Sequence, residues 1–242
     1  MAELTTQRIA AAALLVADEH GASGFTMRAV AEAVGVTPMA LYHHVEDKGA
    51  LVALLVDAAI SERPLPPPTG SWRDDLWEMA CWMRVSTMAH PAVARLRSEY
   101  RVWTSSIFPM TERWLSIWQQ SGLEFDAALL AASTSSTAII GFVDAELRLE
   151  ELELPDEAQL ASFPNARLAF RLERDGAREF ELVVRSVVEG VHARLSGKDA
   201  VSPALLRVPK TSPDRRTLIP GPGGTTPARP MNRKKVKRRR GG

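Results

Sequence analysis

Cysteine is almost missing from this sequence. The 242-residue chain has one, Cys81, so no disulfide can close within it, and a lone thiol in such a setting packs as a small hydrophobe. Lysine is scarce over most of the length: Lys48 is the single lysine in the first 197 residues. No uninterrupted apolar run reaches the roughly eighteen residues that a bilayer-crossing helix needs. The start, Met1-Ala-Glu-Leu-Thr-Thr, has neither the basic opening nor the apolar core of a secretion signal. Glycine-rich phosphate loops, zinc-protease motifs and Gly-x-Ser-x-Gly elbows are lacking too. His43-His44 with Glu46-Asp47 comes nearest to a ligand cluster, but neighbouring residues on one helix point apart and no second cluster completes a site. These gaps exclude a disulfide scaffold, a membrane protein and the common enzyme classes. They imply a cytosolic, non-enzymatic protein with no metal and no other cofactor.

What is present is unevenly distributed. The chain is long enough for one large domain or two smaller ones, and its 45% hydrophobic content is ordinary for a globular protein. Its formal net charge of +1 hides a division: from Ser196 onward there are 13 Lys/Arg and 2 Asp/Glu, a net of +11, which leaves residues 1–195 at −10. Any affinity of the body for a polyanion must therefore come from a local surface. Seven prolines alternate with Gly, Thr and Arg beyond Ser196, a composition that predicts disorder over 196–242. The run Arg233-Lys-Lys-Val-Lys-Arg-Arg-Arg240 has seven positive charges in eight positions. It suits sequence-independent binding of phosphates, and equally RNA, an acidic surface or plain solvation.

The most informative stretch is 26–48. Thr26 can cap a helix whose apolar face is Val30, Ala31 and Val34, and Gly35 falls where that helix must end in a left-handed turn. Thr37 caps a second helix with Pro38 at its first position, where a missing N–H is no loss. Ala31, Gly35 and Leu41 then supply the small residue, turn glycine and core residue of a helix-turn-helix, although an ordinary helical hairpin has similar spacing. Lys48 opens the next helix, which runs to about Arg63. A cation is disfavoured at a helix start unless an anion such as a phosphate joins it there.

The rest reads as helices. Residues 4–20 form the first, with Ile9, Ala12, Ala13, Val16 and His20 at helical spacing and Gly21 as its stop. Pro64-Leu-Pro-Pro-Pro-Thr-Gly70 breaks the chain into a stiff joint. A helix over 71–89 follows, then one over 93–103, then one opened by Pro109. All six tryptophans lie between 72 and 118, and they are either bundle core or the lining of a cavity for a flat effector. A long helix over 125–152 is crowded with small residues. After a looser acidic stretch, 177–195 has a wide apolar stripe that needs more than one neighbour. The expected fold class is all-α: a helix-turn-helix domain over 1–63, a joint over 64–70, a helical bundle over 71–195 and the tail.

The pattern Gly24-Phe25-Thr26-Met27-Arg28, Val30-Ala31, Gly35-Val36, Leu41-Tyr42, His44-Val45 and Lys48-Gly49-Ala50-Leu51 resembles the tetracycline-repressor (TetR) family of bacterial regulators. The closing stripe, Phe180-Glu-Leu-Val-Val and Glu189-Gly190-Val191, resembles that class's last helix. The resemblance implies a repressor released from a palindromic double-stranded operator by a small effector, with no membrane involved and a place in the bacterial cytoplasm at the nucleoid. It implies a homodimer through the helices at 125–152 and 177–195. Carried over by position, Thr26, Arg28, Tyr42, His44 and Lys48 contact phosphates. Thr37, Met39, Ala40 and His43 read bases on a recognition helix begun by Pro38. That helix has no Arg, Asn or Gln for bidentate base recognition, which leaves thymine methyls and single hydrogen bonds. Effector-lining candidates are Trp82, Met83, Ser86, His90, Arg97, Trp103, Trp114 and Trp118. Arg97 stands where the tetracycline repressor has its metal-holding histidine, so neither a metal nor tetracycline is expected. A constitutive DNA-binding dimer without effector, or a protein working through its basic tail, would share much of this sequence.

Overall fold

The computed structural model describes residues 3–149 and 153–197, and every regular element among them is helical. The expected end of the long helix at 150–152 and the tail from Lys198 lie outside the described residues.

The first four helices build a small head. α1 (Thr6–Gly24) starts at Thr5, whose Oγ1 accepts from the Arg8 N–H, and it is interrupted at Gly21 (φ 66°, ψ −179°) as the sequence leads one to expect. α2 (Met27–Val34) is capped by Thr26, whose Oγ1 accepts from Ala29 N–H at 3.1 Å. Gly35 ends it in the left-handed region (φ 81°, ψ 36°), its N–H donating back to Ala31 and Glu32 carbonyls. α3 (Pro38–Tyr42) begins with Thr37 Oγ1 accepting from Ala40 N–H at 3.2 Å. α4 (Lys48–Ser61) is capped by Asp47, which accepts from Ala50 N–H at 2.8 Å. Ile9, Ala13, Phe25, Val30, Ala31, Leu41, Leu51 and Leu55 are fully buried between them, so burial of one apolar face per helix holds elements too short to persist alone.

The remaining helices are α5 (Trp72–Ala89), α6 (Pro91–Tyr100), α7 (Ile107–Gln120), α8 (Phe125–Leu149), α9 (Glu157–Leu160), α10 (Pro164–Arg171) and α11 (Gly176–Leu195). α5, α7, α8 and α11 enclose a second core of Leu76, Met79, Trp114, Ile117, Trp118, Ala128, Ala131, Ile139, Phe180 and Val184. Small residues of α8 permit this close packing. α8 is also long and apolar enough by composition to cross a membrane, since its Ser and Thr interrupt the apolar run without adding charge and Ala, Leu, Ile, Val and Phe supply the hydropathy. Its Ala128, Ala131, Ala132, Ser135, Ile139 and Val143 are instead buried against its neighbours.

Three details depart from the sequence reading. α6 begins at Pro91 and stops at Tyr100, because Arg101 turns left-handed (φ 51°) and returns its N–H to the Arg97 carbonyl. Its Ala92, Val93 and Leu96, with Ile107 beyond it, pack into the head core rather than the bundle core. α7 begins two residues before Pro109, which sits in the first turn, where N–H groups have no helical partner. α9 and α10 were not read at all: Asp156 and Gln159 make a reciprocal capping box, and Pro164 starts α10.

The joint is pinned. Asp75, 2% exposed, accepts from Thr69 N–H (2.6 Å), Thr69 Oγ1 (2.7 Å) and Arg113 (3.2 Å), and the Trp82 indole donates to the Arg63 carbonyl at 3.3 Å. Ile60 near the end of α4 touches both cores.

Candidate DNA interface and effector region

The turn between α2 and α3 presents one exposed surface. Leu41 and Val45 are buried beneath it, and that anchorage turns Thr37, Pro38, Met39, Tyr42, His43 and His44 outward. Met39 is 69% and Tyr42 49% exposed, high values for large side chains on so short a helix. Thr26 and Arg28 are exposed at the start of α2; Ala40 and Lys48 are half-buried. The Lys48 ammonium lies 5.8 Å from the Phe25 ring and 5.4 Å from the Tyr100 ring. The two rings steady its stem at the N-terminus of α4, where the helix dipole also favours an anion. All ten residues read as DNA contacts thus come from α2, α3, the start of α4 and the residues immediately flanking them.

The eight effector candidates do not gather in the same way. Trp118 is fully buried and donates to Ser135 Oγ (3.2 Å), while Trp114 donates to the Ala132 carbonyl (3.0 Å), so both indoles are engaged with their own chain. Trp82 and Met83 are also in the bundle core. Trp103 is 71% exposed, beyond the end of α6. Polar groups are left over: Ser86 Oγ is buried without a hydrogen-bond partner, and so is Thr104 Oγ1, which the sequence reading missed. Burial pushes the Arg97 guanidinium down from its ordinary pKa, and no ion pair or hydrogen bond engages it among the described residues. A separate groove of about 490 Å³ runs between α6 and α8, lined by Ala94, Arg95, Ser98, Glu99, Asp144 and Arg148. Arginine is no metal ligand, and among the described residues no three His, Cys, Asp or Glu side chains come together to hold one.

His90 lies elsewhere. At the corner between α5 and α6, its Nδ1 is 3.0 Å from both Asp18 carboxylate oxygens of α1, and its Nε2 is 3.0 Å from Glu62 at the end of α4. Burial alone would hold the imidazole neutral, but the hydrogen bonds and charges of Asp18 and Glu62 outweigh it and raise the pKa. No local sequence signal links these three positions.

Comparison with known proteins agrees with this architecture. Residues 9–55 match the family described as bacterial regulatory proteins, tetR family, and residues 63–195 match the tetracyclin repressor-like C-terminal domain. The tetracycline repressor protein class E of Escherichia coli is 28% identical over 203 residues, 82% of this chain and 95% of that protein. Apo ActR from Streptomyces coelicolor superposes with a TM-score of 0.66 at 26% identity, over 82% of this chain and all of ActR. ActR in complex with actinorhodin gives 0.63 at 27% identity, over 79% of this chain and 98% of that one. The C-terminal match alone spans more than half of the sequence. The chain belongs to the tetR family of bacterial regulatory proteins, DNA-binding transcriptional regulators without enzymatic activity, and has that family's tetracycline-repressor-like C-terminal domain.

Proposed function

We propose that this chain is an effector-responsive repressor that binds a palindromic operator as a homodimer in the bacterial cytoplasm, at the nucleoid. The observation that supports it most is the outward surface of α3: Thr37, Met39 and His43 face away from buried Leu41, flanked by Tyr42, His44 and Lys48. A helix held in this way enters the major groove while the flanking groups fix it on phosphates. With no Arg, Asn or Gln on α3, Met39 and Ala40 read thymine methyls, and Thr37 and His43 add single hydrogen bonds. Two heads multiply this modest readout.

The dimer uses α8 and α11, which pack along each other and still expose Phe125, Leu129, Leu130 and Ile140 on α8 and Leu182 on α11. Residues 1–63 are the reading domain and 71–195 the regulatory domain, with the tail from Ser196 adding nonspecific affinity for phosphates. The effector is a small apolar or aromatic molecule held in the regulatory domain; the similar ActR is known in complex with actinorhodin. Arg97 and the unpaired hydroxyls of Ser86 and Thr104 are its polar anchors, since buried groups without partners are costly unless a ligand supplies them. Trp114 and Trp118 serve as its packed surround. The effector favours a dimer whose heads are wrongly spaced for successive grooves, and DNA favours the other form.

A gel shift on the DNA upstream of this protein's own gene tests the reading, with nonspecific competitor at near-physiological salt. A discrete band lost with Tyr42→Ala or Lys48→Ala supports it; equal binding to any DNA, unmoved by either change, overturns it. The filled Trp114–Trp118 core favours a second reading, a constitutive DNA-binding dimer. A panel of aromatic compounds that neither releases the DNA nor shifts the melting temperature would favour that second reading.

A further inference from the structure

The His90 contacts have a chemical consequence. Carboxylates only accept hydrogen bonds, and a neutral imidazole has one donor and one acceptor. With Nδ1 at 3.0 Å from Asp18 and Nε2 at 3.0 Å from Glu62, both contacts are hydrogen bonds only when the ring is an imidazolium. The His90 side chain is 12% exposed, against 35% for Asp18 and 55% for Glu62, so the ring is the shielded centre of the cluster. Asp18 from α1 and Glu62 from the end of α4 are the charged groups acting on it, and α5 and α6 contribute none.

Its place gives the cluster a role. His90 precedes Pro91 at the start of α6, whose Ala92, Val93 and Leu96 are seated in the head core. Ten residues on, Tyr100 at the other end of α6 lies against Lys48. α6 therefore touches the head at both ends, and the His90 end joins α1, α4 and the α5–α6 corner at one point.

We propose that protonated His90 is the positioning residue that locks α6 onto the DNA-reading head, so that the seating of the head, and with it operator affinity, weakens as pH rises through the imidazolium's titration. The contribution to operator affinity rests on the reading of the chain as a repressor; the clamp itself does not. In the unfolded chain a histidine titrates near about 6.5. A group whose folded value is raised gives its full stabilisation below that pH and loses it as pH climbs through the folded value. The window thus opens at the ordinary histidine value and extends above it.

The test uses the full-length chain. NMR titration of the imidazoles, with His90 assigned by its absence in His90→Gln, is expected to place His90 above the ordinary range. The value should fall in Asp18→Asn and again when Glu62→Gln is added. Melting temperature across pH 6 to 9, a span set by the ordinary histidine value of about 6.5, should decline more steeply for the native chain than for His90→Gln. Both readouts need no DNA, so they fail independently of the repressor reading. Operator affinity should fall several-fold further over the same span in the native chain than in His90→Gln. A His90 that titrates at or below its ordinary value overturns the proposal, and so do parallel melting profiles; if His90→Gln misfolds, the resonance is assigned by its selective shift in Asp18→Asn.

Discussion

Gly35 carries the turn on which the reading helix depends. At φ 81° it occupies a conformation that costs an L-residue roughly 1–2 kcal/mol, and a Cβ there would meet nothing within 4 Å. Gly35→Ala is therefore expected to lower stability by about that amount through backbone strain alone, read as a shift in urea midpoint at unchanged slope. Thr26, Gly35, Thr37 and Pro38 were all legible in the sequence, because caps and turn residues act within three or four positions of themselves. Asp18, Glu62 and Tyr100 were not. Their partners lie 72, 28 and 52 positions away, at His90 and Lys48, and no local pattern marks such a pairing. Thr104 was missed for a similar reason: an unpaired hydroxyl is a property of its surroundings, which the chain order does not show.

Among elements, the joint behaves as a braced corner. Three prolines stiffen it, and Asp75 fastens Thr69 to α5 and, through Arg113, to α7. Removing a buried charge's partner leaves the other group uncompensated, at a cost of about 3–5 kcal/mol. Asp75→Ala strands Arg113, which is only partly shielded, so about 2–3 kcal/mol is the expected loss, measured by chemical denaturation. The apolar face of α6 could be read from the spacing of Ala92, Val93 and Leu96, but periodicity names a buried face without saying which core buries it. The sequence reading put the helix within the 71–195 bundle, while its Ala92, Val93 and Leu96 pack into the head core. α9 was overlooked despite its Asp156–Gln159 capping box, since a four-residue helix has too short a pattern for periodicity to register. The tryptophan stripe shows the same limit: spacing put Trp114 and Trp118 on one face, and only packing showed both indole N–H groups already satisfied.

For the whole molecule, the exposed leucines and isoleucine of α8 are features that a single chain does not explain. Leu130 is 55% and Ile140 50% exposed on a helix otherwise built for close packing. Leu130→Arg is expected to yield a folded monomer by sedimentation while the head keeps its melting behaviour; a native-like dimer would place the interface elsewhere. The body carries −10 formal charges, so the proposed operator contact needs a local positive surface, which Arg28 and Lys48 supply on the head. The most direct test of the account is selection of binding sites from a random double-stranded oligonucleotide pool by the full-length chain, with Tyr42→Ala in parallel. The expected result is a palindrome of two half-sites about one helical turn apart, enriched by the native chain and not by the variant. Enrichment of no motif, or of the same motif by both proteins, would contradict it.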